Sequence, residues 1–70
     1  MKEDKKKICK QLLPVLQATS DFWNLISLEY SDSENGEIVT ATFLNGATKT
    51  ANVNFDSGAA MILDIIKQIR

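Results

Sequence analysis

The chain has 70 residues, with eight basic and nine acidic side chains for a net charge of −1, a single cysteine and no histidine. Seventy residues build one core that buries only about 60% of the unfolded surface, so a domain of this size leans on a disulfide, a metal or a partner subunit. Cys9 alone excludes an internal disulfide, and without histidine the common zinc, iron and copper ligand sets cannot be assembled. No cofactor is expected, and self-association is the aid that remains.

The charge is unevenly placed: residues 1–10 hold five lysines against two acids, and residues 11–70 hold three bases against seven acids. An acidic body argues against a broad nucleic-acid surface, which needs Lys and Arg spread along a face to neutralise phosphates. The lysine-rich start leads into Ile8 to Ala18, which Lys10, Gln11 and Gln17 make too polar for a signal segment, and no apolar run approaches a membrane span. The expectation is a cytoplasmic protein without membrane contact. With no repeat, low-complexity tract or Pro/Gly/Ser linker, residues 1–70 read as one small domain.

In chain order, a first helix is predicted over about Glu3 to Thr19, with Ile8, Leu12, Val15 and Leu16 on one stripe and Cys9, Leu13 and Gln17 beside it. Pro14 should either kink it or end it at Leu13, because its ring clashes with the Lys10 carbonyl and it donates no hydrogen bond. A first strand follows at Leu25 to Tyr30, where Ile26, Leu28 and Tyr30 alternate with Leu25, Ser27 and Glu29. Ser31 to Gly36 reads as a turn. Two further strands, about Glu37 to Phe43 and Ala47 to Phe55, flank Asn45-Gly46, the strongest short-range hairpin signal. A two-residue loop would scatter the apolar residues. A three-residue loop, Leu44-Asn45-Gly46 with Gly46 left-handed, pairs Phe43 with Ala47 and gathers Val39, Ala41, Phe43, Ala51, Val53 and Phe55 on one side. The last helix is predicted from an Asp56 or Ser57 cap to the chain end, with Ile62, Ile65, Ile66 and Ile69 as its stripe and Met61 and Leu63 flanking it. The fold class is therefore α+β, in the order αβββα: a three-stranded antiparallel meander with both helices packed on one face.

That arrangement leaves the other sheet face bare. Thr40, Thr42, Thr48, Thr50 and Asn52 lie there, and strands 2 and 3 place no charge on this face between Thr40 and Asn54. Open antiparallel faces ordinarily carry Lys and Glu. Threonine is also a good strand former facing water, so the face is either a solvated surface or a contact patch. Trp23 and Leu25, if they share the direction of Ser27 and Glu29, add an apolar end to it. Met61 and Leu63 give the last helix more apolar surface than one face requires, which means deep burial or contact with another chain.

Three weaker features have ordinary explanations. Ser57, Gly58 and Ala59 open the last helix with small residues that an anion could approach, but Asp56 would repel it and helix capping accounts for each residue. Lys2, Lys5, Lys6, Lys7 and Lys10 could contact nucleic acid, yet they include no Arg or interleaved aromatic, and Glu3 and Asp4 can pair with Lys6 and Lys7 along the helix. Asp32-Ser33-Glu34-Asn35-Gly36-Glu37 resembles the front of a calcium loop, but position 12 of that frame is Phe43, so a polar hairpin turn is expected. Catalysis is not expected either. There is no histidine, Cys9 reads as a packing residue, no serine sits in a nucleophile elbow, and one small core leaves little room for a cleft that could tune Asp21, Glu29 or Asp56.

The order αβββα resembles that of double-stranded RNA-binding domains over the whole chain. Those domains hold phosphates with lysines at the start of the second helix, where this chain has Asp56-Ser57-Gly58-Ala59-Ala60, and Lys67 comes too late to replace them. The resemblance is therefore one of architecture. The function expected is that of a stand-alone, non-catalytic interaction module that self-associates, a dimer being the favoured form, and binds a protein partner. Its richness in Lys, Ile, Asn and Thr suits an accessory or inhibitory protein of an AT-rich bacterium or its mobile elements. The alternatives are a nucleic-acid binder using the lysine cluster, and an oligomer that holds a small anionic ligand.

Overall fold

The helical spacing of the N-terminal segment is realised as α1, Lys2–Gln17, in the computed structural model, which describes residues 2–34, 36–54 and 58–70. The side chain of Lys2 also lies outside the description. α1 runs through Pro14 instead of ending at Leu13. Pro14 is on the solvent side, so the Lys10 carbonyl it leaves unbonded is not stranded in the core. The buried stripe is Lys5, Cys9, Leu12 and Leu16, with Ile8 and Leu13 partly buried and Val15 exposed. It is rotated from the predicted stripe because the chain buries a lysine at its first turn. Thr19 closes the helix: its N–H and its hydroxyl both donate to the Leu16 carbonyl, at 2.9 and 2.6 Å, and its oxygen accepts from the Phe22 N–H at 3.2 Å. This turn drives Phe22 into the core and leaves Trp23 outside.

The sheet is an antiparallel meander in the order β1 (Leu25–Ser33), β2 (Gly36–Phe43), β3 (Thr48–Asn52). β1 is three residues longer than predicted, since Ser33 pairs with Gly36 and most of the expected 31–36 turn is ladder. Ser31, Asp32 and Ser33 carry no apolar pattern to reveal a strand, but ladder hydrogen bonds do not need one. The β2–β3 register is the expected one. Val39 pairs with Ala51 and Thr42 with Thr48, the Phe43 N–H donates to the Ala47 carbonyl at 2.9 Å, and Gly46 has φ +86°. Val39, Ala41, Ala51 and Val53 are fully buried and Phe43 nearly so; Phe55 lies outside the described residues.

One irregularity resets β1. Leu25 pairs with Phe43 and Ser27 with Thr42, so Ile26 is the extra residue of a bulge. Leu25 and Leu28, three apart, both face the core, while Ile26 is 47% exposed. The Gln17 side-chain amide donates to the Leu25 carbonyl at 2.8 Å, tying the end of α1 to the bulge.

α2, Gly58–Ile69, packs mainly on β3, and α1 mainly on β1. Side chains from both helices and the inner sheet face form one buried cluster, which places the helices on the same side of the sheet. The fully buried stripe of α2 is Met61, Ile65 and Ile69; Ile62 and Ile66 are its partly buried flank. On the far side of this edge, Gln68 bonds the backbone of Asn52 twice, accepting from its N–H at 2.9 Å and donating to its carbonyl at 3.1 Å.

Candidate interaction surface

Pairing alternation decides which side chains look away from the helices. With Ser27, Glu29 and Ser31 of β1 opposite Thr42, Thr40 and Ile38 of β2, and these opposite Thr48, Thr50 and Asn52 of β3, the outward face is a field of hydroxyls and amides. Thr48, Thr50 and Asn52 are exposed, and Thr40, Thr42 and Ile38 are partly so. Glu29 is the one charged side chain on that face among the described residues of the strands.

Of the two residues expected to extend this face, Leu25 does not. Leu25 is only 2% exposed and belongs to the core, because the bulge turns it inward. Ile26 takes the outward position. Trp23 is 66% exposed, and the Leu44 N–H donates to the Asn24 carbonyl at 2.9 Å, which brings Leu44, 64% exposed, alongside the same end of β1. Neither Ile26 nor Leu44 stood out in the sequence, the first because it fitted the inward alternation and the second because it sits in a loop. Met61 is also withdrawn from any surface, being fully buried, whereas Leu63 is exposed on the opposite side of α2. Gly58 and Ala59 are exposed at the start of α2; Ser57 and the expected Asp56 cap lie outside the described residues.

The lysine cluster is divided by the fold. Lys6, Lys7 and Lys10 are exposed, but Lys5 is only 5% exposed. Its ammonium donates to Glu37 Oε2 and to the Val53 carbonyl, each at 2.9 Å, and the Tyr30 hydroxyl donates to the same carboxylate oxygen. The Glu37 main chain is engaged as well: its N–H donates to Asn54 Oδ1, and its carbonyl accepts from Val53 N–H at 2.9 Å. The hydrogen bond from Tyr30, then that from Lys5, holds the Glu37 carboxyl below its ordinary range, while the bond to Glu37 and burial push the Tyr30 hydroxyl up to about 12. A network whose members bond one another in this way fastens the start of α1 to the hairpin, and it removes Lys5 from any surface that could meet a phosphate. The signal for it was present as spacing, since Lys5, Cys9, Leu12 and Leu16 fall on one helical face, but a lysine contributes nothing to an apolar count.

No helix among the described residues is long and apolar enough to cross a membrane. No protein-family model, curated protein or solved structure matches the chain. The class that the fold defines is thus a small α+β domain with one covered and one open sheet face.

Proposed function

We propose that this domain is a non-catalytic interaction module of the cytoplasm that pairs with a second copy through its open sheet face and then acts by binding a protein partner, as an accessory or inhibitory protein of a bacterium or mobile element. The observation that carries the reading is the outward side of β2 and β3, which is free of charge, with Trp23, Ile26 and Leu44 exposed where the start of β1 meets the β2–β3 turn. Charge depletion with aromatic enrichment is what separates the middle of an interface from ordinary surface. A two-fold axis through such a patch would set identical threonine rows against each other, as a cyclic dimer requires.

Size supports including the apolar end. Strands about 4.8 Å apart, with nine, eight and five residues at about 3.3 Å each, give a flat footprint of roughly 350 Å². A stable interface takes about 800 Å² from each partner, so the hydroxyl field is too small alone. The test is sedimentation equilibrium over a wide concentration range, comparing the native chain with Ile26→Lys and with Thr42→Lys/Thr50→Lys. The expected result is a concentration-dependent dimer that both variants reduce to a folded monomer. A native chain that stays strictly monomeric at the highest concentration overturns the pairing.

A further inference from the structure

The pairing of β1 with β2 leaves part of the β1 backbone unanswered. In β2, Phe43 bonds Ala47 and Gly46 through its N–H and carbonyl, and the Glu37 carbonyl accepts from Val53. Phe43, Ala41, Val39 and Glu37 therefore turn both backbone groups towards β3, and Thr42, Thr40 and Ile38 turn theirs towards Ser27, Glu29 and Ser31 of β1. Leu28 and Tyr30, which alternate with those residues, direct N–H and carbonyl away from the sheet, where no group among the described residues answers them. Leu25 also points its carbonyl outward, but the Gln17 amide takes it.

That bond fixes which side of α1 overlooks the edge. Steps of four, three and four residues back from Gln17 reach Leu13, Lys10 and Lys6, all on one helical line. Lys5 bonds Glu37, to which Tyr30 is also bonded, so α1 runs antiparallel to β1. Gln17 to Lys6 spans about 16 Å of helix at about 1.5 Å per residue, and Leu25 to Tyr30 spans about 16 Å of strand at about 3.3 Å per residue. Lys6 thus stands level with Tyr30, Lys10 with Leu28, and Leu13 nearer the bulge. Lys6 and Lys10 are exposed, and Leu13 is partly buried. Glu3 and Asp32 bring acids only beyond Tyr30, Glu29 faces the other side of the sheet, and the Glu37 carboxylate is held by Lys5 and Tyr30.

We propose that the β1 edge takes in, as a fourth antiparallel strand, an extended segment of another protein whose side chains on the α1 side are acidic, acidic and apolar, opposite Tyr30, Leu28 and Ile26 in turn. The inference rests on the reading that the domain binds a protein partner, and it puts that partner on an edge distinct from the face that pairs two copies. The backbone selects a peptide: Leu28 and Tyr30 each offer a donor and an acceptor, whereas the phosphates of a nucleic acid answer donors only. Lys6 and Lys10 select the acids, and Leu13 suits the apolar residue. On the other side of the added strand, Glu29 favours a lysine opposite it. A second copy of this chain is a poor occupant, because pairing two β1 edges about a two-fold axis sets one Lys6–Lys10 line beside the other.

The probe is the capped peptide Thr-Glu-Lys-Glu-Thr-Leu-Thr, titrated into the full chain and followed by heteronuclear NMR and amide hydrogen exchange at two protein concentrations. In the free protein the Leu28 and Tyr30 amides should exchange faster than those of Ser27, Glu29 and Ser31. The peptide should shift both saturably and slow their exchange. Glutamine in place of its two glutamates should weaken binding about fivefold. Lys6→Glu/Lys10→Glu, at exposed positions, should lose the acidic peptide and gain its counterpart with lysine for both glutamates. Shifts confined to Thr40, Thr42 and Thr50 would move the peptide to the open face, sinking the edge site while the binding reading stands. Slow exchange at Leu28 and Tyr30 that depends on protein concentration without peptide would give the edge to a second copy. A chain that dimerises yet binds no peptide, or that is indifferent to the charge exchange, would overturn the edge proposal alone.

Discussion

Lys5 and Glu37, 32 residues apart in the chain, meet at 2.9 Å with the lysine almost wholly out of solvent. An ion pair in such a position is costly to break from one side, because the remaining partner keeps its desolvation without its counter-charge. Lys5→Met should therefore lower the melting temperature by several degrees, whereas Lys6→Met, on the exposed side, should leave it within error. Combining Lys5→Met with Glu37→Gln should recover part of the loss. A thermal double-mutant cycle reads the coupling, and strict additivity of the two changes would deny it.

Tyr30 is the only tyrosine, so tyrosinate absorbance reports on it alone. Its midpoint should lie near 12 in the folded protein, fall to about 10 in denaturant, and move down in Glu37→Gln. Because the folded value is the higher one, the stabilisation from this bond is complete below the unfolded value and is lost as pH climbs through the folded one. Glu37 behaves in the opposite sense: its folded value is depressed, so its contribution is present above the ordinary glutamate range and disappears as pH falls through the lowered value. Urea midpoints measured across both limbs should decline at each end, and the acid limb should flatten in Glu37→Gln.

The bulge at Ile26 makes two adjacent residues very unequal. Leu25→Ala should cost about 2–5 kcal/mol, as for other buried leucines, while Ile26→Thr should stay within about 0.5 kcal/mol. Urea unfolding distinguishes them directly. A larger loss at Ile26 than at Leu25 would mean that β1 keeps simple alternation.

Gly36 and Gly46 both adopt positive φ, at 120° and 86°, yet a Cβ at Gly36 would lie 2.6 Å from the Asn54 side chain and one at Gly46 would meet nothing. Gly46→Ala should cost about 1–2 kcal/mol from backbone strain alone. Gly36→Ala should cost more, since Asn54 must also release the Glu37 N–H. Pairing it with Asn54→Ala removes the obstruction and should narrow the gap between the two glycine substitutions in unfolding experiments.

Cys9 is buried in the core and burial pushes its thiol up. A thiol reagent should leave the native protein essentially unmodified at neutral pH and react at the rate at which the fold opens. Rapid labelling without denaturant would place the sulfur at the surface.

Much of this architecture could be read from residue order. Asn45-Gly46 and the run from Val39 to Val53 specify a register in which a one-residue slip would mix the faces, and so the hairpin and the open threonine side were legible. The bulge was not, because Ile26, Leu28 and Tyr30 satisfy a period of two as well as any strand, and an inserted residue leaves no mark in such a count. Lys5 looks like one of five solvated lysines in the sequence for a related reason: a buried cation is justified by partners 32 and 48 positions away, Glu37 and Val53, which no local window contains. Met61 sits at the margin of the isoleucine stripe in the sequence, yet it shares the fully buried line with Ile65 and Ile69, a rotation within what four isoleucines and a methionine permit. Of the candidate surface, the threonines were readable and their apolar neighbours only partly, since Leu44 depends on a turn that folds back against Asn24.

The amide of Gln68 fills both backbone groups of Asn52 as a neighbouring strand would. A newcomer trying to lengthen the sheet past β3 must first evict that side chain, and Lys49 brings a charge to the same short border. Growth into a ribbon or fibre is thereby discouraged on this flank of the sheet.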